Sequence, residues 1–297
     1  MNPPAASNSA STSLPLFRAH PRHFAENRFV YPVLSRRSGG VSVGINLNPD
    51  KVCNFDCIYC QVNRVSQSET RFVEQDQLLA ELDAMLALVT SGELFLDEKF
   101  AATPEHLRRL NDIAFSGDGE PTTFRNFDRI VAACAKVKRR HHLDAVKMVL
   151  ITNASRFHRP AVARGLKILD ENQGEIWAKL EAGTEDYYRL VERTTIPFRL
   201  ILDNITAAAR IRPLVIQALF MRIAGEPPPT AEQAAFCDRL NEITAAGGQL
   251  KLVQIYTVAR PPAEGFVTPM TDAEADALAV LVRRRTGLAT AAYYGWS

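Results

Sequence analysis

Two hydrophobic rhythms, one of period two and one of helical spacing, take turns along this chain. Val41 to Asn48 reads as a first strand, stopped by Pro49. Leu78, Leu79, Leu82, Met85, Leu86 and Val89 then recur at helical spacing and predict a helix over 73–90. Residues 92–112 follow neither rhythm and are expected as an irregular insertion. A second strand is predicted from Ile113 to Ser116, then a helix carrying Cys134, a third strand from Val146 to Thr152, a helix over 160–171 and a fourth strand from Glu175 to Glu181. Two short helical stretches, 184–191 and 198–210, precede a fifth strand from Leu214 to Arg222. Thr230 with Gln233 has the form of a capped helix start, as does Thr271 with Glu274. Between these last two helices, Leu250 to Val258 makes a sixth strand.

Six strands alternating with helices imply a parallel sheet covered by helices. Length and order favour an α/β fold, an open partial TIM-like (β/α)6 barrel over residues 41–260. A doubly wound sheet gives the same alternation and stands as the alternative. Residues 1–16, rich in Ala, Ser, Pro and Asn, are expected to be disordered. Residues 17–40 are expected as an N-terminal lead-in packed against the first strand, and 261–297 as a C-terminal helix and tail.

Composition narrows the function classes. Of 297 residues, 46% are hydrophobic and 23% charged, an ordinary globular balance. A formal net charge of +2 gives no argument for nucleic acid by itself. The basic runs Lys136 to Arg140, followed by His141 and His142, and Arg283 to Arg285 fall at predicted helix ends. Cations there favour the helix dipole, so solvated surface is the first reading and RNA contact the second. The N-terminus lacks the form of a signal peptide and no apolar run reaches the length of a membrane span, so the expectation is a soluble cytoplasmic protein with no membrane partner.

The candidate chemistry starts with cysteine. Cys134 and Cys237 each sit among apolar residues at helical spacing and read as small core hydrophobes. Cys53, Cys57 and Cys60 crowd one loop and gain more from a metal than from packing. No fourth Cys or His follows at a zinc-finger spacing. Three thiolates on a cubane cluster would leave one iron open to an exogenous ligand. In a parallel barrel the site lies at the C-terminal ends of the strands, which is where the other polar signals fall. Gly117, Asp118, Gly119 and Glu120 follow strand two. Thr152 and Asn153 end strand three, either as a turn pair or as ligands. Strand period puts Lys179 and Glu181 on one face of strand four, Gln217 on the matching face of strand five, and Gln254 with Tyr256 on strand six. Buried polar groups need partners, so these suggest a polar ligand inside the barrel; a Lys179–Glu181 ion pair with structural amides is the plainer alternative.

The C-x3-C-x2-C spacing, with Tyr59 before the last cysteine, resembles the cluster loop of the radical S-adenosylmethionine (radical SAM) superfamily. Phe115-Ser-Gly-Asp-Gly-Glu-Pro-Thr122 resembles that superfamily's glycine–glutamate motif. The resemblance covers about residues 41–260 and looks closest to the wyosine-base synthase-like group. It implies a barrel of the radical SAM type and a [4Fe–4S] cluster on Cys53, Cys57 and Cys60. It further implies S-adenosyl-L-methionine (SAM) as ligand of the fourth iron, with Gly117 to Glu120 near its amino group. Lys179 would then reach the SAM carboxylate, and Tyr59, Thr152, Asn153, Glu181, Gln217 and Gln254 would complete the cofactor site. A flavodoxin or ferredoxin would serve as reductant and a tRNA as substrate. Archaeal wyosine-base synthases hold a second cluster on cysteines N-terminal to the SAM loop, and this chain has no cysteine before Cys53. A small-molecule or protein substrate, including a glycyl-radical partner, therefore stands beside tRNA, and a non-enzymatic iron–sulfur or zinc protein is the alternative of another class.

Overall fold

When a helix follows each strand, the chain returns to the sheet parallel to the strand before. Six strands obey this rule in the computed structural model, which describes residues 24–35, 37–64, 68 and 70–295. The segment expected to be disordered lies outside them. The strands are β2 (Gly40–Ile45), β3 (Leu110–Phe115), β4 (Lys147–Thr152), β5 (Gly174–Lys179), β6 (Leu214–Leu219) and β8 (Leu250–Tyr256). The helices are α1 (Gln75–Thr90), α2 (Phe127–Arg140), α3 (Pro160–Asp170), α4 (Glu185–Glu192), α5 (Phe198–Ile211), α6 (Thr230–Ala245) and α7 (Asp272–Thr286).

Two further strands widen the sheet. β1 (Val30–Ser35), inside the expected lead-in, pairs antiparallel with β2 from Val30↔Ile45 to Ser35↔Gly40. β10 (Thr290–Tyr293), inside the expected tail, pairs parallel with β8. The order is β1-β2-β3-β4-β5-β6-β8-β10. It never reverses, as a doubly wound sheet must, so the sheet curls one way into a half-barrel. The expected fifth strand through Arg222 breaks at Phe220, whose N–H makes a last bond to Tyr256 O (2.8 Å) and whose ring packs edge-on to Phe236. Beyond it, β7 (Met221–Ile223) leaves to pair with β9 (Val267–Pro269).

Helix starts split the two capping expectations. Thr271 and Glu274 form the reciprocal box at α7. At α6 the N-cap is Pro229 and no side chain caps it; Gln233 reaches past Thr230 to donate to Pro228 O (2.8 Å).

Apolar residues fill the space between the outer face of the sheet and the helices, and Cys134 and Cys237 are fully buried there. The inner face carries a separate small cluster of Ala114, Val149, Trp177 and Val215. Beneath Trp177, Glu175 accepts from its indole N–H (2.9 Å) and pairs with Lys147 and Lys251. This ion cluster sits at the N-terminal end of the barrel.

One buried carboxylate fixes the antiparallel edge. Glu81 of α1 accepts the backbone N–H of Arg28 (3.0 Å), Phe29 (2.8 Å) and Val30 (3.0 Å), and the Gln77 amide (2.9 Å). Replacing Glu81 with Leu strands those donors in an apolar setting, for an expected loss of about 2–4 kcal/mol in denaturant unfolding. A loss below about 0.5 kcal/mol, the size of an ordinary surface change, would mean the edge is held by its strand pairing alone.

Candidate functional site

The strands present their C-terminal ends to one cavity. Cys53, Cys57 and Cys60 line it from the loop after β2, Gly117 to Glu120 from the turn after β3, and Thr152 and Asn153 from the end of β4. Lys179 of β5, Gln217 of β6 and Tyr256 of β8 complete it with Tyr59. Glu181 and Gln254 are buried behind this lining.

The cysteine loop has no regular structure, so its backbone bonds must come from elsewhere. The end of α4 supplies them: Glu192 O accepts Asp56 N–H (3.1 Å) and Val191 O accepts Ile58 N–H (2.9 Å). Thr194 donates to Asn54 O (3.1 Å), Arg64 to Phe55 O (3.0 Å), and Ala263 N–H to Cys60 O (3.1 Å). Burial pushes the Cys53 and Cys57 thiols up.

Glycine at 119 is a steric requirement. A Cβ there would stand 2.4 Å from Val52 O and 2.8 Å from Asn48, against the backbone entering the cysteine loop. At Gly117 it would meet Asn46 Oδ1 at 2.3 Å. Asn46 also holds Asp118, donating to its carboxylate (2.6 Å) and accepting its N–H (3.1 Å).

Glu120 is a bracket. Its buried carboxylate accepts from Thr122 N–H (3.1 Å) and hydroxyl (2.5 Å), from Thr152 Oγ1 (2.6 Å) and from Asn153 N–H (2.7 Å). Burial raises its pKa, against the pull of those donors. Asn153 continues the chain of contacts, donating to Asn54 Oδ1 (3.0 Å) and accepting Ser155 N–H (3.1 Å). Thr152 and Asn153 thus act as the turn pair and tie β4 to the cysteine loop.

A second polar cluster lies under Cys57. Lys179 Nζ donates to Tyr59 OH (3.1 Å) and lies 3.9 Å from Glu181. Tyr59 donates to Glu181, and so does Tyr256 OH (3.4 Å). Burial opposes the Lys179 charge, yet Glu181 beside it holds its pKa well above the ordinary value. Glu192 lies on the other side, 2.7 Å from Cys57 Sγ. Burial first, then the Glu181 carboxylate, pushes Glu192 far above the usual carboxylate range. The expected Lys179–Glu181 ion pair therefore exists within a larger network. Gln217 donates to Gln254 Oε1 (3.0 Å), while its own Oε1 is buried with no partner.

Four residues of this site carry no motif: Glu192, Arg64, Arg37 and Asp112. A glutamate in the last turn of a helix works against the helix dipole, and that mismatch is the one sequence signal Glu192 offers. Arg64 Nη2 approaches Cys60 Sγ at 3.5 Å. Arg37 lies in the turn between β1 and β2 and Asp112 inside β3, with no pattern to mark them.

The donor set fits an iron–sulfur cluster. Among the described residues no three Cys, His, Asp or Glu side chains converge on a single metal ion, whereas a cluster takes each thiolate on its own iron. The unpartnered Gln217 oxygen, on a residue of the same cavity lining, offers an acceptor for a polar ligand beside it.

The family model of the Radical SAM superfamily matches residues 47–223. A protein described as GTPase Obg from Brachyspira hyodysenteriae is 26% identical over 54% of this chain and 20% of its own. A UPF0026 protein from Methanocaldococcus jannaschii is 28% identical over 59% of this chain and 46% of its own. The chain thus spans less than half the length of these curated relatives. A solved radical SAM methyltransferase from Sphaerobacter thermophilus superposes with a TM-score of 0.62 at 12% identity, over 89% of this chain and 69% of that one. At that identity the likeness is one of fold.

Gly119→Ala tests the glycine turn. The added methyl forces the turn off the cysteine loop, so iron and sulfide bound per chain after anaerobic reconstitution should fall several-fold while the helical circular dichroism stays. Unchanged iron content would mean that the turn yields without disturbing the cysteines.

Proposed function

The chain belongs to the radical SAM superfamily, and from that premise we propose that it is an enzyme that cleaves SAM reductively on a [4Fe–4S] cluster and takes a hydrogen atom from a substrate. The observation that carries this reading is the single cavity on which the three cysteines and the Gly117–Glu120 turn both open. When bound, the cluster supplies the electron that cleaves SAM to methionine and the 5′-deoxyadenosyl radical.

The protein's part is holding, orienting and excluding. Cys53, Cys57 and Cys60 would hold the cluster, on a loop fixed by the end of α4. Gly117, Asp118 and Gly119 would bring backbone close to the SAM amino group, as the resemblance implies, with Glu120 bracing their turn from behind. Lys179 is a cation in the lining that suits the SAM carboxylate, and the unpartnered Gln217 oxygen can accept from cofactor or substrate. Tyr59 orients Lys179 rather than facing the ligand alone. Thr152 and Asn153 line the cavity and brace the Glu120 turn, while Glu181 and Gln254 support it from behind through bonds to lining residues. The segment after β8 shields the loop from solvent, through Ala263 on Cys60 O and Gln61 on Arg260 O (2.9 Å).

Electrons would come from a flavodoxin or ferredoxin. Modification of a tRNA base is the substrate the resemblance favours, with a small molecule or a protein as the alternative. The basic runs add no support for RNA. Arg140 and His141 pair with Asp83, Lys138 is buried against the Asp144 and Asn172 carbonyls, and Arg285 pairs with Asp238. No helix among the described residues is long and apolar enough to cross a membrane.

The test is anaerobic reconstitution with iron and sulfide, then dithionite and SAM, assayed for 5′-deoxyadenosine. The wild type should form it and Cys57→Ala should not. Zinc instead of iron in protein purified without air would overturn the reading.

A further inference from the structure

The cavity does not end at the cofactor residues. It continues down the inner face of the sheet past Ser42 and Ala114, with the Tyr31 ring lying over Gly44. Its floor is the apolar cluster around Trp177. Into this chamber the β1–β2 hairpin sends Arg37. Its guanidinium carbon lies 4.8 Å from the Tyr256 ring centroid and 5.6 Å from that of Trp177.

The energetics of that placement point to a ligand. A guanidinium stays charged at any pH a protein survives, and placing it over an apolar floor costs free energy unless an anion compensates. Two aromatic faces recover part of this, on the order of 1–2 kcal/mol. Tyr256 also shares a side-chain hydrogen bond with the guanidinium, which uses one of its N–H donors; an oxyanion would be recognised by others of the fork. Among the described residues no carboxylate forms an ion pair with Arg37. Asp112, in the same lining, accepts from Ser42 Oγ, and burial raises its pKa, which weakens it as a counter-charge. Lys179, Arg64 and Arg260 are further cations of the lining; Glu181 and Tyr59 already engage Lys179, and Asp56 pairs with Arg64.

We propose that Arg37 binds an oxyanion of the substrate, a phosphate or a carboxylate, and so holds the rest of the molecule between the Trp177 floor and the cysteine loop. The inference rests on the radical SAM reading for the word substrate, and on the chamber's own geometry for the anion. It makes Arg37 a specificity-determining residue, with Trp177 and Tyr256 positioning its guanidinium. A phosphate at this depth can belong to an extruded nucleotide or to a free small molecule, and a carboxylate to a small acid.

Trp177 is the built-in reporter. The chain has two tryptophans, so Trp296→Phe leaves Trp177 alone. Its fluorescence is followed as the full chain, without SAM or reductant, is titrated with inorganic phosphate, adenosine monophosphate and succinate. A saturable response to at least one of these is expected. Arg37→Met should weaken it roughly tenfold or more, the size of one charge-assisted contact. Arg37→Lys should fall between, since it keeps the charge but loses the two-pronged fork. Preference for the nucleotide, for free phosphate or for succinate names the source of the anion. Melting temperatures of both variants, measured alongside, separate lost binding from lost folding. No saturable response in the wild type, or the same response in folded Arg37→Met, overturns the proposal. Displacement of the bound anion by SAM also overturns it, because Arg37 would then serve the cofactor. The two readings fail separately. Anion binding without any deoxyadenosine in the reconstitution assay keeps the anion site and removes the reaction, and deoxyadenosine without anion binding does the reverse.

Discussion

Glu120 is the point on which the site depends. Its carboxylate takes donors from its own turn and from the end of β4, and so fixes two strand ends against each other. From there Asn153 reaches Asn54, inside the cysteine loop. A loop with no regular structure gains its shape this way, from a buried acid that follows the neighbouring strand. Fully satisfied buried networks are rigid, and partly satisfied ones are costly. This one leaves no carboxylate oxygen of Glu120 without a donor.

The cluster beneath Cys57 follows the opposite logic. Two carboxyls, Glu181 and Glu192, share a dry region with a single ammonium, Lys179, and with two tyrosine hydroxyls. Burial makes two negative charges there more than one lysine balances, and burial together with the Glu181 carboxylate pushes the Glu192 pKa up. The result joins the wall of the cavity to a cysteine of the loop through Lys179, Tyr59, Glu181 and Glu192. A ligand that changes the charge near Lys179 thus acts on the surroundings of Cys57 through contacts a few ångströms long.

The barrel is built from two apolar layers with different purposes. The outer layer is the ordinary core between sheet and helices, and it absorbs Cys134 and Cys237 as small hydrophobes. The inner layer is thin, and Trp177 with the ion cluster around Glu175 closes its lower end. A half-barrel with a blocked base leaves its volume on the side of the cysteine loop.

Strand alternation and the spacing of Cys53, Cys57 and Cys60 made the barrel class, its six parallel units and the cysteine loop legible from the sequence alone, because periodicity and close spacing are local properties. The Thr271–Glu274 cap was legible for the same reason, whereas the Thr230–Gln233 pattern was not realised, since Gln233 found the Pro228 carbonyl instead. β1 and β10 escaped because edge strands carry a weak alternation and gain their order from a neighbour. Face assignment from strand period put Lys179, Gln217 and Tyr256 inside correctly, but it could not tell lining from support. Gln254 and Glu181 point inward and are covered by residues from other strands. Glu192 beside Cys57 and Arg37 over Trp177 were decided by tertiary structure only. Each is brought to the site by a turn or helix end far off in sequence, and pairwise electrostatics and ring contacts act through space, where the order of residues along the chain holds no record of them.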